Sequence, residues 1–211
     1  MMKAPFLCLV LAALPASGEH QETSLAPIAL YTNFQHPASA EVVDALKAEV
    51  DSIMRPSGLR FTWRKLPAER GSDVSVELAV ITFKGRCDVT ALSPHISGAG
   101  PLGWTHISDG VILPFAEVDC QSIRGFIQRR LLRMPAVGRE AAYGRALGRV
   151  LAHELYHIFA NTTRHGSCGV GKSKFTVEEL LSPEFQLAER ESSALQRANL
   201  YATFAWDSGV R

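Results

Sequence analysis

The segment that most constrains this chain runs from Gly138 to Ala160 (GREAAYGRALGRVLAHELYHIFA), and its periodicity predicts one long helix. Leu147, Leu151, Leu155 and Ile158 recur at i, i+4, i+8 and i+11, which places them in a single apolar stripe. A stripe of that length has to be covered, so a sheet or other helices must be built against it. Gly144 and Gly148 interrupt the pattern, each at a cost of about 1 kcal/mol of helix propensity relative to Ala. That cost makes sense where the helix lies close against another backbone.

The same helix carries His153, Glu154 and His157 in the sequence HELYH, beside the apolar stripe and not on it. Residues four apart on a helix stand about 40° apart around its axis. Both imidazoles therefore leave one face, a turn apart, and can meet a single zinc ion at about 2.0–2.1 Å. Glu154 flanks that face, where a carboxylate acts as general base on water acidified by the metal. A pattern with three fixed positions in five arises by chance in a few hundred residues at a rate on the order of one per cent. A coincidental pair of histidines is the bland alternative; the strong helix and a third His within reach favour the metal.

A tetrahedral catalytic site needs one more protein ligand. His165 is the candidate, and the chain must leave the helix and turn back to bring it there. Asn161, which tolerates the left-handed conformation, stands where that turn would begin, and Thr162, Thr163 and Gly166 suit it. Glu178, Glu179, Glu189 and Glu191 compete for the same position from later in the chain. His165 is preferred over them because a nearby imidazole closes the site with a shorter loop.

The run HELYHIFANTTRH (153–165) resembles the zinc-binding consensus HExxHxxGxxH of the metzincin clan of metallopeptidases, in a longer form. The order of predicted elements is also similar to that clan. The resemblance implies zinc on His153, His157 and His165, Glu154 as general base, and hydrolysis of a peptide or protein substrate. Ala160 stands in the place of the clan's glycine, and the third His comes two residues late. Met134 is the last methionine, so the clan's methionine turn has no counterpart. Two alternatives stay open: a gluzincin-like peptidase with a Glu third ligand, and an exported zinc-containing binding protein without turnover.

Around this helix the sequence predicts an α+β domain, a twisted mixed sheet packed by helices, with a small C-terminal helical part. Strands are expected at 28–33, 59–66, 74–83, 102–107 and 111–115, with Asp109-Gly110 turning between the last two. Helices are expected at 39–54, with Ser39 as N-cap and Val42, Val43, Leu46, Val50 and Ile53 on one face, and at 121–133, 176–181 and 183–205. His106, on a predicted edge strand, is a candidate for lining a substrate cleft. Tyr156 or Tyr201 could stabilise an oxyanion. His20, His36 and His95 carry no signal beyond surface or loop.

The first residues read as a signal peptide: Lys3, the apolar run Phe6 to Leu14, and small residues Ala16-Ser17-Gly18, with cleavage after Gly18. Residues 19–211 are then one zinc metallopeptidase domain, exported to the periplasm or the outside, with Cys87, Cys120 and Cys168 left in it. Cys87–Cys120 is the expected disulfide, with Cys168 free. Lys+Arg 22 against Asp+Glu 21 leaves a net charge of +1, which gives no reason to expect nucleic acid or an anionic membrane as partner. No segment after the leader is apolar and long enough for a membrane span.

Overall fold

The computed structural model describes residues 28–66, 75, 77–90, 92 and 100–207, with side chains through 199. The leader expected at 1–18 lies outside them, as do His20 and His95. Five strands form one sheet: β1 (Ile28–Phe34), β2 (Phe61–Lys65), β3 (Leu78–Lys84), β4 (Gly103–Ser108) and β5 (Val111–Asp119), in the order β2-β1-β3-β5-β4. The pairs β1–β2, β1–β3 and β3–β5 are parallel, and β4 is antiparallel to β5 at the edge. With helices at 40–54 (α1), 120–133 (α2), 139–159 (α3), 177–181 (α4) and 189–207 (α5), this is the mixed-sheet α+β architecture expected.

Register places Leu30 beside Ala79 and Trp63, and Ile81 beside Ala116. Alternate residues of the central strands therefore point to one face, where Leu30, Ala79, Ile81, Phe83, Ala116 and Val118 join the buried core. The β4–β5 hairpin turns through Asp109 and Gly110, both at positive φ (50° and 79°), as a two-residue Asp-Gly turn requires. β3 runs from Leu78; the start expected at 74 lies outside the described residues.

The apolar stripe of α3 is fully buried at Leu147, Leu151 and Leu155. α1 packs along α3. Its N-cap is Ser39, whose hydroxyl accepts from the Val42 amide at 3.3 Å. Val42, Leu46, Val50 and Ile53 are buried, whereas Val43 lies at the edge of that face. The two helices touch backbone to backbone at the glycines. A Cβ on Gly144 would sit 2.4 Å from the Val42 carbonyl oxygen, and one on Gly148 would sit 2.8 Å from that of Leu46.

Cys87 and Cys120, both buried, form the expected disulfide with Cα atoms 4.9 Å apart, and Cys168 is exposed and free. Tyr143 of α3 donates a hydrogen bond to the Cys120 carbonyl at 2.6 Å, which ties α2 to α3. The last helix starts at Glu189, six residues later than the Pro183 signal predicts. Arg149 of α3 holds the chain that precedes it. It is almost wholly buried, donates to Glu49 Oε1 (2.6 Å) and to the Glu179 and Ser182 carbonyls (2.6 and 2.8 Å), and lies over the Phe185 ring. Ser182 itself is extended (φ −60°, ψ 158°), and residues 183–188 are not helical.

The contact at Gly144 yields a direct expectation. Gly144→Ala should lower unfolding stability by about 1–3 kcal/mol, because overpacking against a backbone carbonyl outweighs the gain of about 1 kcal/mol in helix propensity. Denaturant unfolding of the two proteins measures it, and an alanine variant as stable as the parent would contradict the close approach.

Candidate metal centre

Helix α3 presents His153 and His157 from one face, as its period requires. Both are largely buried. His153 Nδ1 lies 2.7 Å from the Val170 carbonyl oxygen, and His157 Nδ1 lies 2.7 Å from that of Thr162. A carbonyl can only accept, so each ring donates through Nδ1. In the neutral imidazole the remaining nitrogen, Nε2, then carries a lone pair. These two Nε2 atoms face each other at 3.0 Å.

Two buried lone pairs at that distance repel unless something positive lies between them or beside both. A proton is disfavoured there. Burial pushes the His153 imidazole down to about 4, against the Val170 hydrogen bond, and burial also lowers His157. A divalent metal fits better. Two nitrogens at zinc distance on adjacent corners of a tetrahedron are about 3.4 Å apart, close to the spacing seen. Donating Nδ1 to a carbonyl is also how a metal-ligating histidine is normally oriented.

His165 completes the set. The helix ends at Phe159, and Asn161 takes a left-handed φ of 45°, as expected of the turn residue. The Thr162 amide returns to the His157 carbonyl at 3.1 Å. The chain then doubles back, and the His165 ring comes to 5.3 Å from that of His153 and 4.9 Å from that of His157, centroid to centroid. One ligand atom from each of the three histidines lies within 4.8 Å of the others, so the three could hold a metal ion. Phe175 packs edge-on against His153 with centroids 5.5 Å apart. The carboxylates that compete with His165 in the sequence do not join this cluster. Glu178 and Glu189 are exposed, Glu179 accepts from the Thr176 amide in a capping box, and Glu191 is buried against a loop backbone.

Glu154 is buried beside the histidines, and Thr105 of β4 donates to its Oε2 at 2.8 Å. Burial pushes its carboxyl up to about 7, opposed by the Thr105 hydrogen bond. Glu154, the three histidines, Gly103, Trp104, Thr105, Ile107, Ile112, Thr162, Thr163 and Ser173 line one cleft of about 280 Å³. Its upper wall is the edge strand and its floor is α3.

His106 is not in this cleft wall. Side chains alternate along a strand, so Thr105 facing Glu154 sends His106 to the opposite face, where it meets Glu117 Oε1 at 3.2 Å. The same alternation, applied with the motif helix below, is the signal that would have picked Thr105. Tyr156 is buried away from the cleft lining, and Tyr201 lies beyond the described side chains. Cys168 and His36 are exposed and outside the histidine cluster.

A scan against protein-family models finds no match, and a search of curated proteins finds none. Among solved structures the chain is similar to archaemetzincin from Methanopyrus kandleri, with 15% identity, 85% of this chain and 98% of that chain covered, and a TM-score of 0.45.

The carboxyl of Glu154 has a consequence for the metal-free protein. Its folded value lies above the ordinary 4.5, so the folded state keeps a proton that the unfolded chain releases as pH rises from 4.5 to about 7. Stability contributed at low pH is thus lost across that window. At about 1.4 kcal/mol per pH unit the loss is up to about 3 kcal/mol. Metal-free Glu154→Gln should therefore unfold at higher temperature than metal-free parent at pH 8, with the difference shrinking as pH approaches 4.5. Parallel thermal melts across pH in chelator measure it; a pH-independent difference would refute the assignment.

Proposed function

We propose that this chain is an exported zinc-dependent hydrolase of peptide bonds, with His153, His157 and His165 as metal ligands and Glu154 as general base. The observation that carries the reading is the pair of buried Nε2 lone pairs facing each other beside a third imidazole, with a buried carboxylate in the same cleft. Three imidazoles form the ligand set of a catalytic zinc site that leaves a position open. Zinc held there supplies Lewis acidity, which polarises a carbonyl and makes water nucleophilic near neutral pH.

The chain's own groups then have distinct tasks. Glu154 removes the proton from the attacking water and delivers it to the leaving amine. Thr105 holds Glu154 Oε2, so the carboxylate is aimed before substrate arrives. β4 ends the sheet, and an exposed strand edge takes an extended peptide by backbone pairing. Such a peptide would lie along the cleft with its side chains against Ile107 and Ile112. The Cys87–Cys120 disulfide supports export, because such bonds persist in oxidising compartments, and the leader-like residues 1–18 support it independently.

Purified protein should hold about one zinc per chain, and His153→Ala, His157→Ala and His165→Ala should each lose it. Glu154→Gln should keep the metal and lose about 100-fold or more of its activity on an unfolded protein substrate, the scale of general base catalysis. Metal analysis and a chelator-controlled hydrolysis assay measure both. Zinc-loaded parent without hydrolysis would assign the chain to the zinc-containing binding proteins instead. A His165 variant that still binds zinc, when a Glu variant does not, would make the site gluzincin-like.

A further inference from the structure

Glu191 is a buried carboxylate on the first turn of α5, and it is spent entirely on backbone. Its Oε2 accepts from the Val170 amide at 3.1 Å and the Ala188 amide at 2.8 Å, and its Oε1 accepts from the Gly171 amide at 2.8 Å. The loop between Gly166 and Gly171 is wrapped around it. A Cβ on Gly171 would sit 2.6 Å from Oε1, and one on Gly169, whose φ is +74°, would sit 2.6 Å from Oε2. At these two positions a side chain would collide with the carboxylate.

The amides that Glu191 gathers lead directly to two of the three histidines. Val170, held by its amide, offers its carbonyl to His153 Nδ1 at 2.7 Å. Gly171, held by its amide, offers its carbonyl to the Gly166 amide at 2.7 Å. Gly166 follows His165, so that bond sets where the returning chain leaves the third imidazole. His157 is oriented separately, by the Thr162 carbonyl at the end of α3.

We propose that Glu191 is a positioning residue of the metal centre: its carboxylate fixes the 166–171 loop so that Val170 aims His153 and Gly166 returns His165 to it. The inference rests on the metal reading above and extends it to a residue well beyond His165 in the chain, with no ligand role of its own. A carboxylate suits the task better than a neutral acceptor, because its two oxygens satisfy three donors at once and charge-assisted bonds are the stronger ones. The device also ties α5 to the site.

The test is zinc affinity, measured by competition with a chromogenic chelator, together with the visible absorption of the cobalt-substituted protein. Glu191→Ala should bind zinc about 10–100-fold more weakly, the usual effect of losing an outer partner of a ligand, and should shift the cobalt bands. Glu191→Gln, which keeps one acceptor oxygen and turns a donor towards the remaining amide, should fall between, and it serves where Glu191→Ala does not fold. Gly171→Ala should weaken zinc although Glu191 is intact. Leu46→Ala, a core truncation on α1, should lose stability and hold zinc within twofold of the parent. Parent protein that binds zinc while the Glu191 and Gly171 variants all match it within twofold, with unchanged cobalt spectra, would overturn the positioning role alone. Parent protein that binds no zinc would overturn the metal reading and this role with it.

Discussion

Two imidazole nitrogens with no proton between them, 3.0 Å apart on the floor of a cleft, repel each other. Neither can relieve the other by hydrogen bonding, because both rings have committed their Nδ1 protons to carbonyls. Much of the surrounding structure serves to hold this arrangement. α3 supplies both rings from one rigid surface, and its opposite side is bound to α1 through backbone contact at Gly144 and Gly148. The loop after α3 supplies both carbonyls. Each support is itself fixed elsewhere, so the site cannot relax by letting the rings drift apart. Three imidazoles held this way could take up a metal ion without rearrangement of the backbone that carries them.

The environment of Glu154 has the same logic. A carboxylate pushed up to about 7 is destabilising to the empty protein above that pH. A general base benefits from a value near the working pH, because both protonation states are then accessible to the reaction. A cation nearby moves the balance towards the ionised form, so metal binding and the state of Glu154 support one another. Thr105 makes the link to the edge strand. On the proposed reading, the strand that aligns an extended substrate also carries the residue that orients Glu154.

Much of this is legible in the amino-acid sequence. The helical period alone places His153, Glu154 and His157 on and beside one face, because residue spacing on a helix is geometry and not context. The positive φ of Asn161 follows from its residue type and its position after the last helical residue. The two helix glycines signal close packing through their propensity cost. What the sequence hides depends on partners distant along the chain. Pro183 looks like a helix start, but α5 begins only at Glu189, where the Glu191 carboxylate takes the Ala188 amide. His106 attracts notice as a histidine, yet strand alternation gives the cleft to Thr105. Glu191 is conspicuous as a possible ligand, and only the folded loop reveals that its oxygens are already taken by amides.

Glu191 also explains why the residues from 166 to 171 are so rich in glycine. Read as sequence, GSCGVG is simply loop. In the structure its backbone is tied down at three points. Val170 is fully buried, two amides bond one carboxylate, and the Gly166 amide closes the loop on the Gly171 carbonyl. Glycine is needed here because backbone must approach a carboxylate from several sides, which a Cβ would prevent. The conformational entropy lost at each glycine on folding is larger than at other residues. Three charge-assisted hydrogen bonds, each worth about 1.5–3 kcal/mol net, are of the size required to offset it. This loop, beside the helix that carries His153 and His157, is a wrapped anchor.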